Sequence, residues 1–306
     1  MNKTDTSEKI ITKAGFVSLI GRPNAGKSTL MNSLLGENIA MVSQKANATR
    51  KRSNAIVMHK NTQIIFVDTP GLHEREKVLN QYMLDEALKA MGDCDLIVYL
   101  APATDDLEHY EKFLKLNNKK VKHIIVLSKI DQVSQEKLFK KINSYNQFAN
   151  YFEALIPVSI PKKVGHTDLL DVISKNLPNS PYLYDPNDLT SELVRDIYAG
   201  FIREGIFENI NDEIPYESDV LIDKIEEENK IDKIYATIII EKESQKGIII
   251  GKAGESIKRI GKYAREKIEM LSGKKAYLNL QVNVKKGWSK DKAFLDEIGY
   301  KQWTTK

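Results

Sequence analysis

The segment GRPNAGKST, residues 21–29, constrains the fold of this chain more than any other feature. It follows the apolar run 16–20 and precedes a stretch with helical character, residues 30–35. A strand, a glycine-rich turn ending in Gly-Lys-Ser and a helix together predict a loop whose backbone N–H groups surround phosphate oxygens. Lys27 would then supply charge to the outer phosphates, and Ser28 would offer a hydroxyl to Mg²⁺. The segment therefore predicts a nucleoside triphosphate site.

The length and composition of the chain fit two ordinary globular domains. At 306 residues it exceeds one typical domain, and 42% hydrophobic with 29% charged residues suffices for a full core. The single cysteine, Cys94, excludes an internal disulfide and is expected to be a small core residue. No run approaches the length of a membrane span, and the N-terminal segment lacks an apolar signal core. We therefore expect a cytoplasmic protein.

Apolar runs in the first half of the chain alternate with helical patterns. The predicted strands cover residues 16–20, 55–58, 63–67, 95–100, 123–127 and 154–158. The predicted helices cover residues 77–91, 105–117 and 134–148. This alternation indicates an α/β fold with a mostly parallel sheet and helices on both faces. Only a short polar turn separates residues 55–58 from 63–67, so we expect an antiparallel hairpin at one edge.

Polar residues stand at the carboxyl ends of these strands, where ligands of such sheets bind. Asp68–Gly71 could hold Mg²⁺ through water and offer an N–H to a γ-phosphate. In the segment 128–131, Asp131 could accept hydrogen bonds from the N1–H and N2 amino groups of guanine, while the stem of Lys129 lies on the ring. Adenine lacks those donors, and a site built on a fixed hydrogen bond rejects such an analogue strongly. The pattern therefore predicts guanine selectivity.

A segment rich in proline and asparagine, residues 177–187, separates the two halves of the chain. Beyond it we predict a helix over 189–209, strands over 218–226 and 233–241, a helix over 255–271 and a strand over 276–282. Residues 204–232 hold eleven acidic residues and two lysines, whereas residues 244–292 hold thirteen basic residues and four acidic ones. A charge run is usually a solvated face, but here the basic block also contains a second glycine-rich motif.

That motif is Gly251-Lys252-Ala253-Gly254, between the apolar residues 248–250 and the basic helix. It matches the GXXG loop of a KH domain, in which glycines let two helix ends approach the backbone of about four nucleotides of RNA. The charge that would meet the phosphates comes from Lys252, Lys258, Arg259, Lys262 and Arg265. Trp288 could stack on a base, but packing against the KH sheet is the favoured interpretation.

Residues 15–178 resemble the G domain of translation-factor-class GTPases, and the whole chain resembles the Era family of bacterial ribosome-associated GTPases. The resemblance implies an N-terminal tail over 1–14, a G domain over 15–178, a linker over 179–188 and a type II KH domain with a C-terminal tail over 189–306. It implies GTP or GDP and Mg²⁺ as ligands and slow GTP hydrolysis. It also implies binding to 16S ribosomal RNA near its 3′ end during small-subunit assembly, by a monomer that does not bind DNA.

The resemblance also implies the site residues. Those that contact the nucleotide would be Gly21, Arg22, Pro23, Asn24, Ala25, Gly26, Lys27, Ser28, Asp68, Thr69, Pro70, Gly71, Leu72, Ser128, Lys129, Ile130, Asp131, Ser159 and Ile160. Those that hold Mg²⁺ would be Ser28, Thr49 of switch I and Asp68. Those with catalytic roles would be Asn24, Lys27, Thr49 and Gly71. Those that bind RNA would be Gly251, Lys252, Ala253, Gly254, Lys258, Arg259 and Lys262.

The chain departs from the family pattern at several positions. Ser128 replaces an asparagine and can make fewer hydrogen bonds, which predicts weaker nucleotide affinity. Ala48 replaces a threonine, and Ile160 replaces an alanine that acts through its backbone.

Catalytic groups known from related GTPases are also missing. Leu72 stands where Ras-like proteins have a water-orienting glutamine, and the neighbouring His73 is more typical of a surface loop. Arg50 and Arg52 are candidates either for positive charge at the phosphates or for contact with a partner, and the sequence leaves the choice open. Related GTPases hold K⁺ with an asparagine at the position of Asn24, so we expect hydrolysis to be faster in K⁺ than in Na⁺.

Three other functions remain open at this point. A P-loop kinase or ATPase is opposed by Lys129 and Asp131. An RNA-binding adaptor with a degenerate G domain is made plausible by Ser128. A peripheral association with the inner face of the cell membrane would use the lysine-rich surface, which also attracts anionic lipids.

Overall fold

A six-stranded sheet organises the first domain of the computed structural model, which describes residues 11–42, 49–50, 52–70, 87–211 and 213–300. The strands are β1 (Lys13–Ile20), β2 (Ser53–His59), β3 (Thr62–Asp68), β4 (Leu96–Pro102), β5 (His123–Ser128) and β6 (Leu155–Pro157). Their order is β2-β3-β1-β4-β5-β6, and only β2 is antiparallel to its neighbour. This confirms the α/β prediction and the hairpin at one edge.

Helices cover both faces of this sheet: α1 (Lys27–Leu35), α2 (Glu108–Leu116), α3 (Gln135–Ser144) and α4 (His166–Asn176). Side chains of β4 alternate between two apolar cores, with Leu96, Val98 and Leu100 in one, and Ile97 and Tyr99 in the other. A strand buried on both faces has this continuous apolar sequence. Residues 87–93 are also helical, so the predicted helix 77–91 is confirmed over residues 87–91 and continues to residue 93, while residues 77–86 lie outside the described residues. The predicted helix 134–148 ends early, since residues 146–148 form a 3₁₀ turn.

The second domain has a three-stranded sheet with β7 (Ser218–Glu226), β8 (Ile231–Ile240) and β9 (Lys275–Val284) in that order. β8 is antiparallel to β7 and parallel to β9. The accompanying helices are α5 (Val194–Asn209), α6 (Glu243–Ile250), α7 (Glu255–Ser272) and α8 (Lys292–Glu297). Alternate residues of β8, Ile234, Ala236 and Ile238, share one apolar core with Phe201 and Ile260 from the two longest helices. On the other side of β8, Ile239 packs with Trp288 and α8, a helix that the sequence patterns did not predict.

The prediction of a helix from residue 189 was wrong for residues 189–193. The carbonyl of Leu189 accepts a hydrogen bond of 2.9 Å from the N–H of Ile56 in β2. The side-chain carboxylate of Glu192 accepts a second one of 3.1 Å from the N–H of Asn54. Residues 189–192 are therefore hydrogen-bonded to the edge of the G-domain sheet through one backbone carbonyl and one side chain, and the helix begins only at Val194, after an extended Leu193.

Candidate functional site: a nucleotide pocket and an RNA groove

The phosphate loop joins β1 to α1 through two residues with left-handed backbone, Asn24 at φ 60° and Gly26 at φ 102°. Asparagine and glycine tolerate this conformation better than other residues. A Cβ on Gly21 would lie 2.7 Å from the carbonyl oxygen of Leu100 in β4. The loop is therefore held close to the neighbouring strand tip, and its sequence fits the turn.

Lys27 lies at the first position of α1 and is only 6% exposed. Its ammonium donates to the carbonyls of Gly21 at 3.2 Å and Arg22 at 3.1 Å, so it lies inside the curve of the loop. Burial lowers the pKa of Lys27 to about 8. A phosphate placed there would favour the charged form and provide a partner for it. The guanidinium of Arg22 instead binds Asp105 after β4, with one bond of 2.7 Å, and anchors the loop.

Three hard oxygen ligands converge at the end of the loop. The Ser28 hydroxyl donates to Asp68 Oδ2 at 2.5 Å and lies 3.1 Å from Thr49 Oγ1. Asp68 is fully buried, its Oδ1 atom has no hydrogen-bond partner, and desolvation raises its pKa. An unpartnered buried carboxylate oxygen beside two hydroxyls fits Mg²⁺, which prefers oxygen ligands. The structure thus brings together the three residues expected to hold the metal.

The segments expected to bind guanine are tied to the phosphate loop and to each other. The Ser128 hydroxyl donates to the carbonyl of Ala25 at 3.1 Å, and Lys129 Nζ donates to the carbonyl of Asn24 at 3.0 Å. Ser159 Oγ donates to Asp131 Oδ1 at 2.7 Å, which lowers the pKa of that carboxyl. Asp131 is exposed and ionised at the end of β5, where a base could reach it. Of the remaining predicted nucleotide residues, Ile160 lies against Gly26.

Several expected residues lie outside the described part of the chain, namely Ala48, Gly71, Leu72 and His73. Arg50, one of the two candidate arginines, has its guanidinium buried against the second domain rather than in the phosphate pocket. No sequence signal marked its partners, because three of the four are backbone carbonyls and all of them lie far along the chain.

The GXXG motif forms a tight connection between α6 and α7. Gly251 has φ 73°, and a Cβ there would lie 2.4 Å from Ser256 Oγ, so a side chain would not fit. Ala253 and Gly254 are also left-handed, at φ 52° and 77°. These conformations let the two helices meet at the loop, as expected for a KH domain.

Beside the loop, α7 and β9 enclose a groove of about 530 Å³. Its wall on α7 carries the cations Lys258, Lys262 and Arg265, and its apolar floor is formed by Ile231, Ile257, Ala276, Leu278 and Leu280. Tyr277 lines its edge and is 48% exposed. An apolar floor under a row of cations can hold bases and backbone phosphates of a single strand. The apolar floor and Tyr277 were not among the predicted RNA residues.

Trp288 packs inside the KH domain, as expected, and is not exposed for stacking on an RNA base. It is fully buried, and its indole N–H donates to the carbonyl of Glu217 at 3.1 Å.

Comparisons with known proteins agree with this geometry. A family model for 50S ribosome-binding GTPases matches residues 16–129, and a KH-domain model matches residues 213–289. GTPase Era of Helicobacter pylori strain P12 is 53% identical over 294 residues, which cover 94% of this chain and 97% of that protein. GTPase Era of Campylobacter lari is 52% identical over 288 residues, which cover 94% and 99%.

Two solved structures align along the whole fold. Era of Aquifex aeolicus bound to GDP and AlF4⁻ aligns with a TM-score of 0.90 at 31% identity, over 94% of this chain and 99% of that one. The same values hold for Era in complex with MgGDPNP and nucleotides 1506–1542 of 16S ribosomal RNA. Fold and sites define a P-loop GTPase joined to a C-terminal KH domain. The chain belongs to the Era family of GTPases.

Proposed function

We propose that this chain is a GTP-hydrolysing switch that binds small-subunit ribosomal RNA near its 3′ end and acts in assembly of that subunit. The observation that carries the proposal is the convergence of Ser28, Thr49 and Asp68 beside a buried Lys27, in a chain that also has a GXXG groove. The two Era structures with GDP and AlF4⁻ and with 16S RNA support each half of it.

The pocket would work by binding and positioning. Ser28, Thr49 and Asp68 would hold Mg²⁺, which when bound would supply positive charge to the β- and γ-phosphates. Lys27 would place a second positive charge on the same oxygens. Asp131 would select guanine, and the bond from Ser128 to the phosphate loop would keep the base and phosphate contacts in register. We also propose Asn24 as a ligand of K⁺.

The proposed domains are the tail 1–14, the G domain 15–178, the linker 179–188 and the KH domain 189–306. The matched family models fall inside the second and fourth of these. We propose a cytoplasmic location with ribosomal RNA as the main partner. Among the described residues, none of the helices is long and apolar enough to span a bilayer.

The test of the enzymatic half is phosphate release from GTP. We expect slow turnover that Lys27→Ala abolishes, and competition by unlabelled GTP but not ATP. Competition by ATP would favour the kinase or ATPase alternative, and turnover that survives Lys27→Ala would contradict the site.

RNA crosslinking of the GTP- and GDP-loaded chain tests the other half. We expect crosslinks to the 3′ region of 16S RNA that depend on the nucleotide and are lost in a Lys258→Gln, Lys262→Gln double variant. Equal crosslinking in both nucleotide states would indicate an adaptor rather than a switch. Flotation with anionic vesicles in the presence of competing RNA would reveal a membrane role if the RNA failed to displace the protein.

A further inference from the structure

Arg50 crosses from the nucleotide domain into the KH domain. Its side chain is 2% exposed, and its two terminal nitrogens donate to three backbone carbonyls of that domain. The distances are 3.1 Å to Pro215, 2.7 Å to Tyr216 and 2.7 Å to Ser218. A fourth, longer bond of 3.4 Å reaches the carboxylate of Asp219. All four terminal N–H groups therefore have acceptors within the KH domain.

The site that receives Arg50 is formed by buried side chains that contact one another. Asp219 is 3% exposed, and it accepts a hydrogen bond from the hydroxyl of Tyr300. Arg203 lies 3.9 Å from its other oxygen. The ring of Trp288 lies 6.0 Å from the Arg50 guanidinium. We call these four residues, together with the carbonyls of 215–218, the Arg50 socket. Its side chains come from α5, β7 and the C-terminal segment.

A second contact joins the same two regions. Met41, on the amino-terminal side of residues 43–48, packs with Phe207 of α5 and Tyr216. Residues on both sides of that segment thus contact one part of the KH domain.

We propose that the Arg50 socket positions Thr49, and through it the Mg²⁺ site, so that the KH domain governs the GTP-dependent step. Arg50 is a positioning residue and not an arginine finger. Thr49 and Arg50 are consecutive, with Cα atoms about 3.8 Å apart. The Thr49 hydroxyl lies 3.1 Å from Ser28 Oγ while the next side chain is fixed in the other domain. A shift of the socket therefore moves Thr49 relative to Ser28 and Asp68. The inference rests on the proposed function of the pocket.

The test changes the socket at a residue distant in sequence from the nucleotide site. Tyr300→Phe removes the hydroxyl bound to Asp219. Tyr263→Phe is the matched control, because Tyr263 is another tyrosine that donates to a buried carboxylate, Glu204 at 2.7 Å, within the KH domain. The readouts are kcat and KM for GTP, their Mg²⁺ dependence, and the affinity for GDP. The Mg²⁺ dependence of binding to a non-hydrolysable GTP analogue repeats the measurement without turnover.

We expect Tyr300→Phe to raise the Mg²⁺ concentration for half-maximal activity about fivefold, the effect of one hydrogen bond, with GDP affinity unchanged. Arg50→Ala should raise it further, and Arg50→Lys should not rescue it, because an ammonium cannot bind the same carbonyls in a planar fork. Tyr263→Phe should match the wild type.

Two results would overturn the inference. One is loss of kcat in Arg50→Ala with an unchanged Mg²⁺ dependence in Tyr300→Phe, which would mean that Arg50 acts on the phosphates. The other is an equal effect of Tyr263→Phe, which would mean general loss of KH-domain stability. Absence of turnover in the wild type would count against the proposed function alone, since analogue binding would still report the coupling.

Discussion

At the scale of single residues, Ser128 shows how the segment proposed to bind guanine is held to the phosphate loop. Its buried hydroxyl donates to the carbonyl of Ala25 at 3.1 Å, so residues 128–131 are attached to that loop. An asparagine would offer an additional donor or acceptor at this place. The expectation of weaker nucleotide affinity stays a prediction.

The residue-scale prediction concerns Asn24. We expect phosphate release from GTP to be faster in K⁺ than in Na⁺ at equal ionic strength, because an amide oxygen at this position can hold a cation near the β–γ bridge. Asn24→Gly should abolish the difference between the salts. Glycine accepts the φ of 60° found here, so the variant removes the amide without straining the loop. Equal rates in K⁺ and Na⁺ for the wild type would refute the K⁺ site.

At the scale of elements, β5 is fixed by a buried aromatic cluster between the sheet and the helices α2 and α3. His123 Nε2 and Tyr110 Oη are 2.8 Å apart, and Phe113 lies edge-on to the imidazole. Burial lowers the pKa of His123 to about 4. The neutral imidazole is therefore the form that the folded chain holds at neutral pH.

This cluster predicts a pH dependence of stability. The pKa of His123 is about 6.5 when unfolded, so between pH 6.5 and 4 the unfolded chain binds more protons. The free energy of unfolding should therefore fall as the pH decreases through that window, by about 2 kcal/mol between pH 7.5 and 5. Urea titrations at the two pH values measure it. His123→Gln should reduce the difference, whereas His109→Gln, which removes an exposed histidine, should keep it. An unchanged slope in His123→Gln would contradict the assignment.

Helices, strands and turns were predictable where the local sequence determines them. They were not predictable where contacts with a distant part of the chain determine the local structure. The hairpin of β2 and β3 was predictable from a short polar turn between apolar runs. The turns that need Gly21, Gly26 and Gly251 were predictable from the two glycine-rich motifs. The non-helical path of residues 189–193 depends on β2, more than 130 residues earlier. The destination of Arg50 likewise depends on residues 215–219. Helix α8 is too short for a periodic pattern to mark it.

At the scale of the whole molecule, the structure shows where the acidic block 204–232 and the basic block 244–292 lie. The basic block supplies α7 and its groove, while much of the acidic block supplies α5 and β7 in the same domain. Some acidic residues pair internally, as Glu204 does with Lys267 at 2.5 Å. In the groove, Lys262 lies 3.9 Å from Glu266, and Lys258 and Arg265 add two further cations beside it.

The whole-molecule prediction is the salt dependence of RNA affinity. The slope of log K against log salt reports the number of phosphates that the protein contacts. Lys258→Gln should lower the magnitude of this slope by about 0.7 and weaken binding similarly for different sequences. Lys115→Gln, an exposed site on α2 of the G domain, is the control and should leave the slope unchanged. A slope unaffected by Lys258→Gln would remove that lysine from the interface.

The path of residues 189–192, which directly follow the linker, has a consequence for how the chain can be divided. Outward-facing backbone groups of Asn54 and Ile56 on β2 form hydrogen bonds with Leu189, Thr190 and Glu192. A sheet edge left bare readily pairs with another strand. A G domain cut at residue 178 would lose this cover and should self-associate, whereas a fragment that ends after Glu192 should remain monodisperse. Residues 189–192 thus protect the edge of the sheet in the first domain, although they begin the segment assigned to the second.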